Sequence, residues 1–177
     1  MQTSIFLTEN AAVWVRLIFL FVVLFSQPAS SASLKATHAL VTPLFPIPLA
    51  NGQTLDMGAL KGKVVLVNFW ATWCPPCRKE MPSMDRLDKM ETGRPFAIVA
   101  VNVKEEEDLV ERFLEEMPVG FPIGLDPDGA LAKAWKAFVY PTSFLVDKAG
   151  RIRYSLNGTL EWDEPEVVEI IERLMLE

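Results

Sequence analysis

The sequence predicts an α/β protein, a central mixed β-sheet flanked by helices, and three observations carry that reading. Residues 63–70 (KVVLVNFW) and 96–103 (FAIVAVNV) are short, valine-rich, almost continuous apolar runs, the pattern of strands covered on both faces. Helical patterns follow each of them and close the chain, so strand and helix alternate. Half of the 177 residues are apolar, enough to bury one domain's core without staples. The net charge is -6 and no basic cluster exceeds a residue pair, which excludes a nucleic-acid footprint.

Residues 1–33 stand apart from the rest. Arg16 precedes the apolar run 17–25 (LIFLFVVLF), and the small, polar stretch 26–33 (SQPASSAS) comes after it: basic flank, apolar core, small-residue exit. The run suits a signal peptide and falls short of the roughly 20 residues of a bilayer-spanning helix. Ser30 and Ala32 fit a cleavage site after Ala32. Residues 11–15 extend the apolar stretch upstream, and Arg16 can snorkel, so a retained membrane anchor is the alternative. Either reading puts residues 34–177 in a periplasmic or other extracytoplasmic space, as one domain. No cysteine stands near the end of the run to carry a lipid.

Residues 33–48, punctuated by Pro43, Pro46 and Pro48, read as an extended lead-in. Residues 45–49 and 54–57 around Asn51-Gly52 predict a hairpin with a two-residue turn, and Gly62 a further turn. Residues 63–70 then form the central strand. A helix begins at the cysteine motif and runs to Met90, with Met81, Met84, Leu87 and Met90 on its inner face and Pro82 kinking it. After the second strand, residues 105–117 predict an amphipathic helix with Leu109, Val110, Phe113 and Leu114 inward; the acidic run 105–108 suits its first turn. Residues 121–125 predict a short strand, 130–138 a short helix, and 143–146 and 151–156 two strands joined across 148–150. Residues 164–176 predict a closing helix, with Asp163 as N-cap and Pro165 at its first position.

The chain has two cysteines, in Trp73-Cys74-Pro75-Pro76-Cys77. Two cysteines one turn apart enclose a loop too short to constrain a fold, so the pair is there for chemistry rather than as packed thiols. Cys74 falls at a helix N-terminus, where unpaired N–H groups and the dipole favour a thiolate and bring a thiol from about 8.5 to roughly 3.5–7.5. It is the expected nucleophile. Cys77, one turn inward and less exposed, is expected to resolve the mixed disulfide by attacking the Cys74 sulfur. Pro75 suits the first helical turn and Pro76 stiffens the loop, while Trp70 and Trp73 are expected to shield the site. A zinc site needs four ligands, and His38 is the chain's one histidine, so no metal is expected there. Soft thiolates do hold Cu(I) with few ligands, so a copper-binding metallochaperone is the alternative function. A thiol peroxidase, with its isolated cysteine, fits poorly. Dithiol chemistry needs no cofactor.

The segment 64–82 (VVLVNFWATWCPPCRKEMP) resembles the thioredoxin superfamily, in its exported branch of TlpA-like, ResA-like and cytochrome-maturation thioredoxins, and a weaker resemblance spans residues 44–176. It implies a thioredoxin fold with an N-terminal β-hairpin and a central αβ insertion at residues 105–125. It also implies that Tyr140, Pro141 and Thr142 form the substrate-binding loop facing the dithiol, with Pro141 cis, and that Pro82 is the family's helix-kinking proline. Asn68 stands where ordinary thioredoxins carry a buried Asp. Glu80 matches an acidic residue of this branch, which implies proton management and a raised cysteine pKa; the residues alone favour a surface glutamate paired with neighbouring charge. The implied reaction is reduction of disulfides in an exported protein, by a monomer, with apocytochrome c, a copper-site assembly protein and other exported thiol proteins all open as the substrate. A membrane donor of the DsbD/CcdA type would resupply electrons. The same dithiol run as an oxidase or isomerase is the nearest rival, since about 30 mV shifts the balance tenfold.

Overall fold

The computed structural model describes residues 33–43 and 46–177. The expected targeting segment 1–33 lies, apart from Ser33, outside the described residues. In chain order the elements are β1 (Lys35–Val41), β2 (Pro46–Pro48), β3 (Thr54–Asp56), a 3-10 turn (Met57–Leu60), β4 (Val64–Trp70), α1 (Pro75–Met90), β5 (Phe96–Val103), α2 (Glu107–Glu116), β6 (Ile123–Asp126), α3 (Ala130–Ala134), β7 (Thr142–Val146), β8 (Arg151–Asn157) and α4 (Pro165–Leu176). Six strands form one sheet in the order β1-β8-β7-β4-β5-β6, and β2 and β3 form a separate hairpin. The sheet is mixed: β4 and β6 run parallel to β5, while β7 is antiparallel to β4 and β8.

Every residue of β4 is buried, which is why its sequence is apolar on both faces. Side chains alternate across it. Val64, Leu66 and Trp70 face a layer built from Met81, Met84 and Leu87 of α1, Val110 and Phe113 of α2, and Ile171 and Leu174 of α4. Val65, Val67 and Phe69 join Val99, Val101, Trp135 and Phe144 on the other face, where the hairpin contributes Ile47 and Leu49. The two layers fix β4 from both sides, so its C-terminal end is a rigid platform for the turn that carries Cys74.

Several expectations change in detail. The lead-in is extended, but residues 35–41 are a sheet strand, paired antiparallel with β8 (Lys35 opposite Ser155). The hairpin forms with Ile47 opposite Leu55, yet its loop holds three residues rather than two: Leu49 N–H donates to Gln53 O at 2.8 Å, and Gly52 has φ +78 while Asn51 is not left-handed. Asn51 instead accepts the Gln53 N–H on its side chain. Met90 ends α1 at 55 % exposure and Leu109 lies 40 % exposed on α2, because only the narrower stripes Met81-Met84-Leu87 and Val110-Phe113 meet the core. α3 ends at Ala134 instead of 138, since Lys136 turns left-handed (φ 57) as Trp135 packs under Phe69 and Phe144. Asp163 does not cap α4: Arg86 takes its carboxylate, and the N-cap is Glu164, without a side-chain hydrogen bond. Glu105 does not open α2; it precedes the helix and is buried.

Candidate active site

The chain leaves the buried end of β4 and turns once before α1. Cys74 N–H donates to Ala71 O at 3.2 Å, closing a turn whose central residues are Thr72 and Trp73. Cys74 is then the N-cap of α1, in extended conformation, and its Sγ receives the Cys77 N–H at 3.3 Å. Pro75 and Pro76 fill the first helical positions, where a missing N–H costs no helical hydrogen bond. The two cysteines are joined as a disulfide, with Cα atoms 5.3 Å apart. In this oxidised state both residues are buried, Cys74 at 3 % and Cys77 at 1 % exposure, so the difference in access expected between them is slight.

Around the pair, Trp73 is 66 % exposed and meets Tyr140 edge-on, ring centroids 6.3 Å apart. The Tyr140–Pro141 peptide is cis. Thr142 begins β7 opposite Phe69, and its Oγ1 donates to Val139 O at 2.7 Å. The loop 140–142 therefore stands beside the end of β4, next to the dithiol turn. Thr159 closes another side, donating its hydroxyl to Pro76 O at 3.2 Å. Trp70 is not part of this surface. It is wholly buried against Phe113, centroids 5.1 Å apart, in the same core layer as the two cysteines.

Glu80 is the largest departure from a surface reading, because its side chain has no exposure at all. Oε1 accepts from Asn68 Nδ2 at 2.7 Å, and Oε2 accepts from Leu160 N–H and Trp162 Nε1–H, both at 3.2 Å. Burial pushes the carboxyl up to about 7, with the hydrogen bonds from Asn68, Trp162, Leu160 and Thr159 pulling the other way. Asn68 also donates to Ser143 Oγ at 2.9 Å, and its Oδ1 has no partner among the described residues. An Asp at this position would set a second carboxylate against the first; the amide supplies a donor.

Glu105, Thr159 and Trp162 are not separable by sequence from ordinary surface or packing residues. Nothing local marks them, since each acquires its partners from segments distant along the chain, apart from the Glu105 contact with Asn102.

A central strand ending in a Cys-x-x-Cys helix N-terminus, beside a cis-proline loop on a mixed sheet, is the arrangement of thiol-disulfide oxidoreductases with the thioredoxin fold. The chain belongs to the Redoxin family, whose description matches residues 30–171. It is 38 % identical over 118 residues to thiol-disulfide oxidoreductase ResA of Bacillus subtilis, covering 67 % of this chain and 66 % of that protein. To ResA of Bacillus thuringiensis it is 32 % identical over 132 residues, 75 % of each chain. Among solved structures it resembles a thiol:disulfide interchange protein of the thioredoxin family from Chlorobium tepidum, with a TM-score of 0.67, 27 % identity, and coverage of 80 % of this chain and 99 % of the other.

Proposed function

We propose that this protein reduces disulfide bonds in exported polypeptides through Cys74 and Cys77. The observation that carries the reading is Cys74 at the N-cap of α1, its sulfur on the Cys77 N–H and bonded to the Cys77 sulfur. In the reduced protein the same N–H and the helix dipole favour the Cys74 thiolate. That thiolate attacks one sulfur of a substrate disulfide, forming a mixed disulfide and releasing the other substrate sulfur as a thiolate, which takes a proton from water. Cys77 gives up its proton and attacks Cys74 Sγ; the second substrate sulfur leaves and is protonated. The substrate gains two electrons and two protons, and the enzyme is left with the Cys74–Cys77 disulfide.

Glu80 is the proton acceptor for this second step, one helical turn beyond Cys77, with a carboxyl near neutrality. Asn68 serves both of its states: Nδ2 donates to the carboxylate, and a rotated amide presents Oδ1 to the acid. Trp73, Pro75 and Pro76 form one lip of the substrate site, and Tyr140, Pro141 and Thr142 the other, where the extended segment carrying the substrate disulfide lies.

Residues 1–33 act as a signal peptide or retained anchor, and 34–177 are the working domain, placed outside the cytoplasm. Its substrate is an exported thiol protein, a class that includes apocytochrome c and copper-site assembly proteins, and a membrane donor of the DsbD/CcdA type restores the dithiol. Replacing Cys77 with Ser and recovering the stalled mixed disulfide from cells tests this directly. A trapped exported cysteine protein is expected. A reduced protein that turns over no disulfide and instead retains stoichiometric Cu(I) against a chelator would mark a metal carrier and overturn the reading.

A further inference from the structure

Behind the turn that delivers Cys74 lies a second buried carboxylate, Glu105. It comes just after the end of β5, where Lys104 takes a left-handed backbone, φ 60, that a lysine adopts only at some cost. Beyond that bend the Glu105 carboxylate reaches the dithiol turn rather than the first turn of α2. Oε2 accepts the Thr72 N–H at 2.7 Å and Asn102 Nδ2–H at 2.6 Å, and Oε1 accepts the Thr72 hydroxyl at 2.6 Å. Both oxygens thus grip one residue of the Ala71–Cys74 turn, and Asn102 anchors the grip to the sheet. Two bonds to a single residue fix its orientation as well as its position.

We infer that Glu105 is a positioning residue for the exchange reaction, holding the turn so that the Cys74 sulfur stays on the helix N-terminus. This rests on the dithiol reading above. The stabilisation a helix terminus offers a thiolate is confined to its first turn, so a small displacement of Cys74 forfeits it. Thr72 is two residues from Cys74, in the same hydrogen-bonded turn, and the neighbouring Trp73 is largely exposed. The grip asks only for acceptors facing Thr72 N–H and Asn102 and for one polar atom at the Thr72 hydroxyl. A glutamine meets all three, because its Nε2–H can donate to a hydroxyl that turns to accept. Alanine meets none.

The test is the pH profile of Cys74 alkylation by iodoacetamide in the reduced full chain, with the reduction potential measured against glutathione. Glu105→Ala is expected to slow alkylation about tenfold at pH 7 and move the inflection to higher pH, and Thr72→Val to slow it about threefold, the sizes of one or two lost hydrogen bonds. Thr72→Ser is expected to restore the wild-type profile, and Glu105→Gln, which keeps the grip but sheds a negative charge near Cys74, to alkylate at least as fast as the wild type, with its inflection at or below the wild-type pH. Should Glu105→Ala fail to fold, the Thr72 pair decides. A wild-type profile and potential in Glu105→Ala, or in Thr72→Val where that pair decides, overturns the inference, as does Glu105→Gln as slow as Glu105→Ala. In either case insulin reduction by the wild type leaves the oxidoreductase standing. A wild-type Cys74 that alkylates like an ordinary thiol sinks the dithiol reading itself.

Discussion

Glu80 and Glu105 are both buried beside the same dithiol, and each takes its hydrogen bonds from neutral donors. They differ in what those donors belong to. Glu80 is held by Asn68 of β4 and by Leu160 and Trp162 of the segment before α4, all parts of the scaffold. Glu105 is held mainly by Thr72, part of the reactive turn. Where the scaffold supplies the donors, what can change is the proton on the carboxyl. Where the turn supplies them, what is fixed is the turn's own geometry. On the roles proposed above, two residues of one chemical type divide proton handling from placement.

The comparison has meaning only if the sulfurs react, and the largest expected effect is there. Cys74→Ser should lower insulin-disulfide reduction by at least about a thousandfold, the scale of losing a nucleophile. Residual turnover near wild type would detach both carboxylates from the chemistry.

Next in size is the pH dependence of stability. The Glu80 carboxyl is raised from 4.5 to about 7 in the folded protein, so between those values the folded state holds the proton more tightly than the unfolded one. Its contribution is fully present below about 4.5 and is lost as pH rises through about 7, a change on the order of 3 kcal/mol. Urea unfolding of the oxidised protein should therefore show greater stability at pH 5 than at pH 8. Glu80→Gln should flatten that slope and gain stability at pH 8, with Asn68 turning its unpartnered Oδ1 toward the new amide. The same substitution removes a like charge near the thiols and should move the Cys74 alkylation inflection down by about one pH unit. Coincident curves would take Glu80 out of proton management.

A smaller change sharpens the role of the donors. Trp162→Phe removes one hydrogen bond to Oε2, which pushes the carboxyl further up and costs about 1–3 kcal/mol once it is ionised. The penalty should be larger at pH 8 than at pH 5 and should appear as an upward shift in the carboxyl's NMR titration. Equal penalties at both pH values would show the indole acting through packing alone. Smallest is Ser143→Ala, which takes away the second acceptor of Asn68 Nδ2 and should cost about 1 kcal/mol with little change in the pH slope.

The strands at the centre of the sheet are legible in the sequence because burial on both faces leaves an unbroken apolar run, as in 64–70 and 96–103. The dithiol is legible for a different reason: its spacing and prolines are local. Strand β1 reads as merely extended because its partner β8 lies more than 100 residues away, as in the Thr37 hydroxyl bond to Ile152 O. Glu80 and Glu105 are ambiguous for the same reason. Whether a glutamate on a helix or near its start faces water depends on Asn68, Trp162 or Thr72 arriving from elsewhere in the fold. Apolar periodicity overstates the width of the helix faces, since Met90 and Leu109 continue the pattern past the stripe that the sheet can cover.

The hairpin has a consequence for life among other chains. Leu49 bridges to Gly124 on the outer side of β6, the last strand of the sheet, and Ala50 N–H donates to Ile123 O at 2.9 Å. Gly124 leaves room for this cover, because a Cβ there would come within 2.5 Å of Ile47. Groups that an uncovered border would offer to a foreign strand are thereby taken internally, and this flank of the sheet is guarded against strand addition and aggregation.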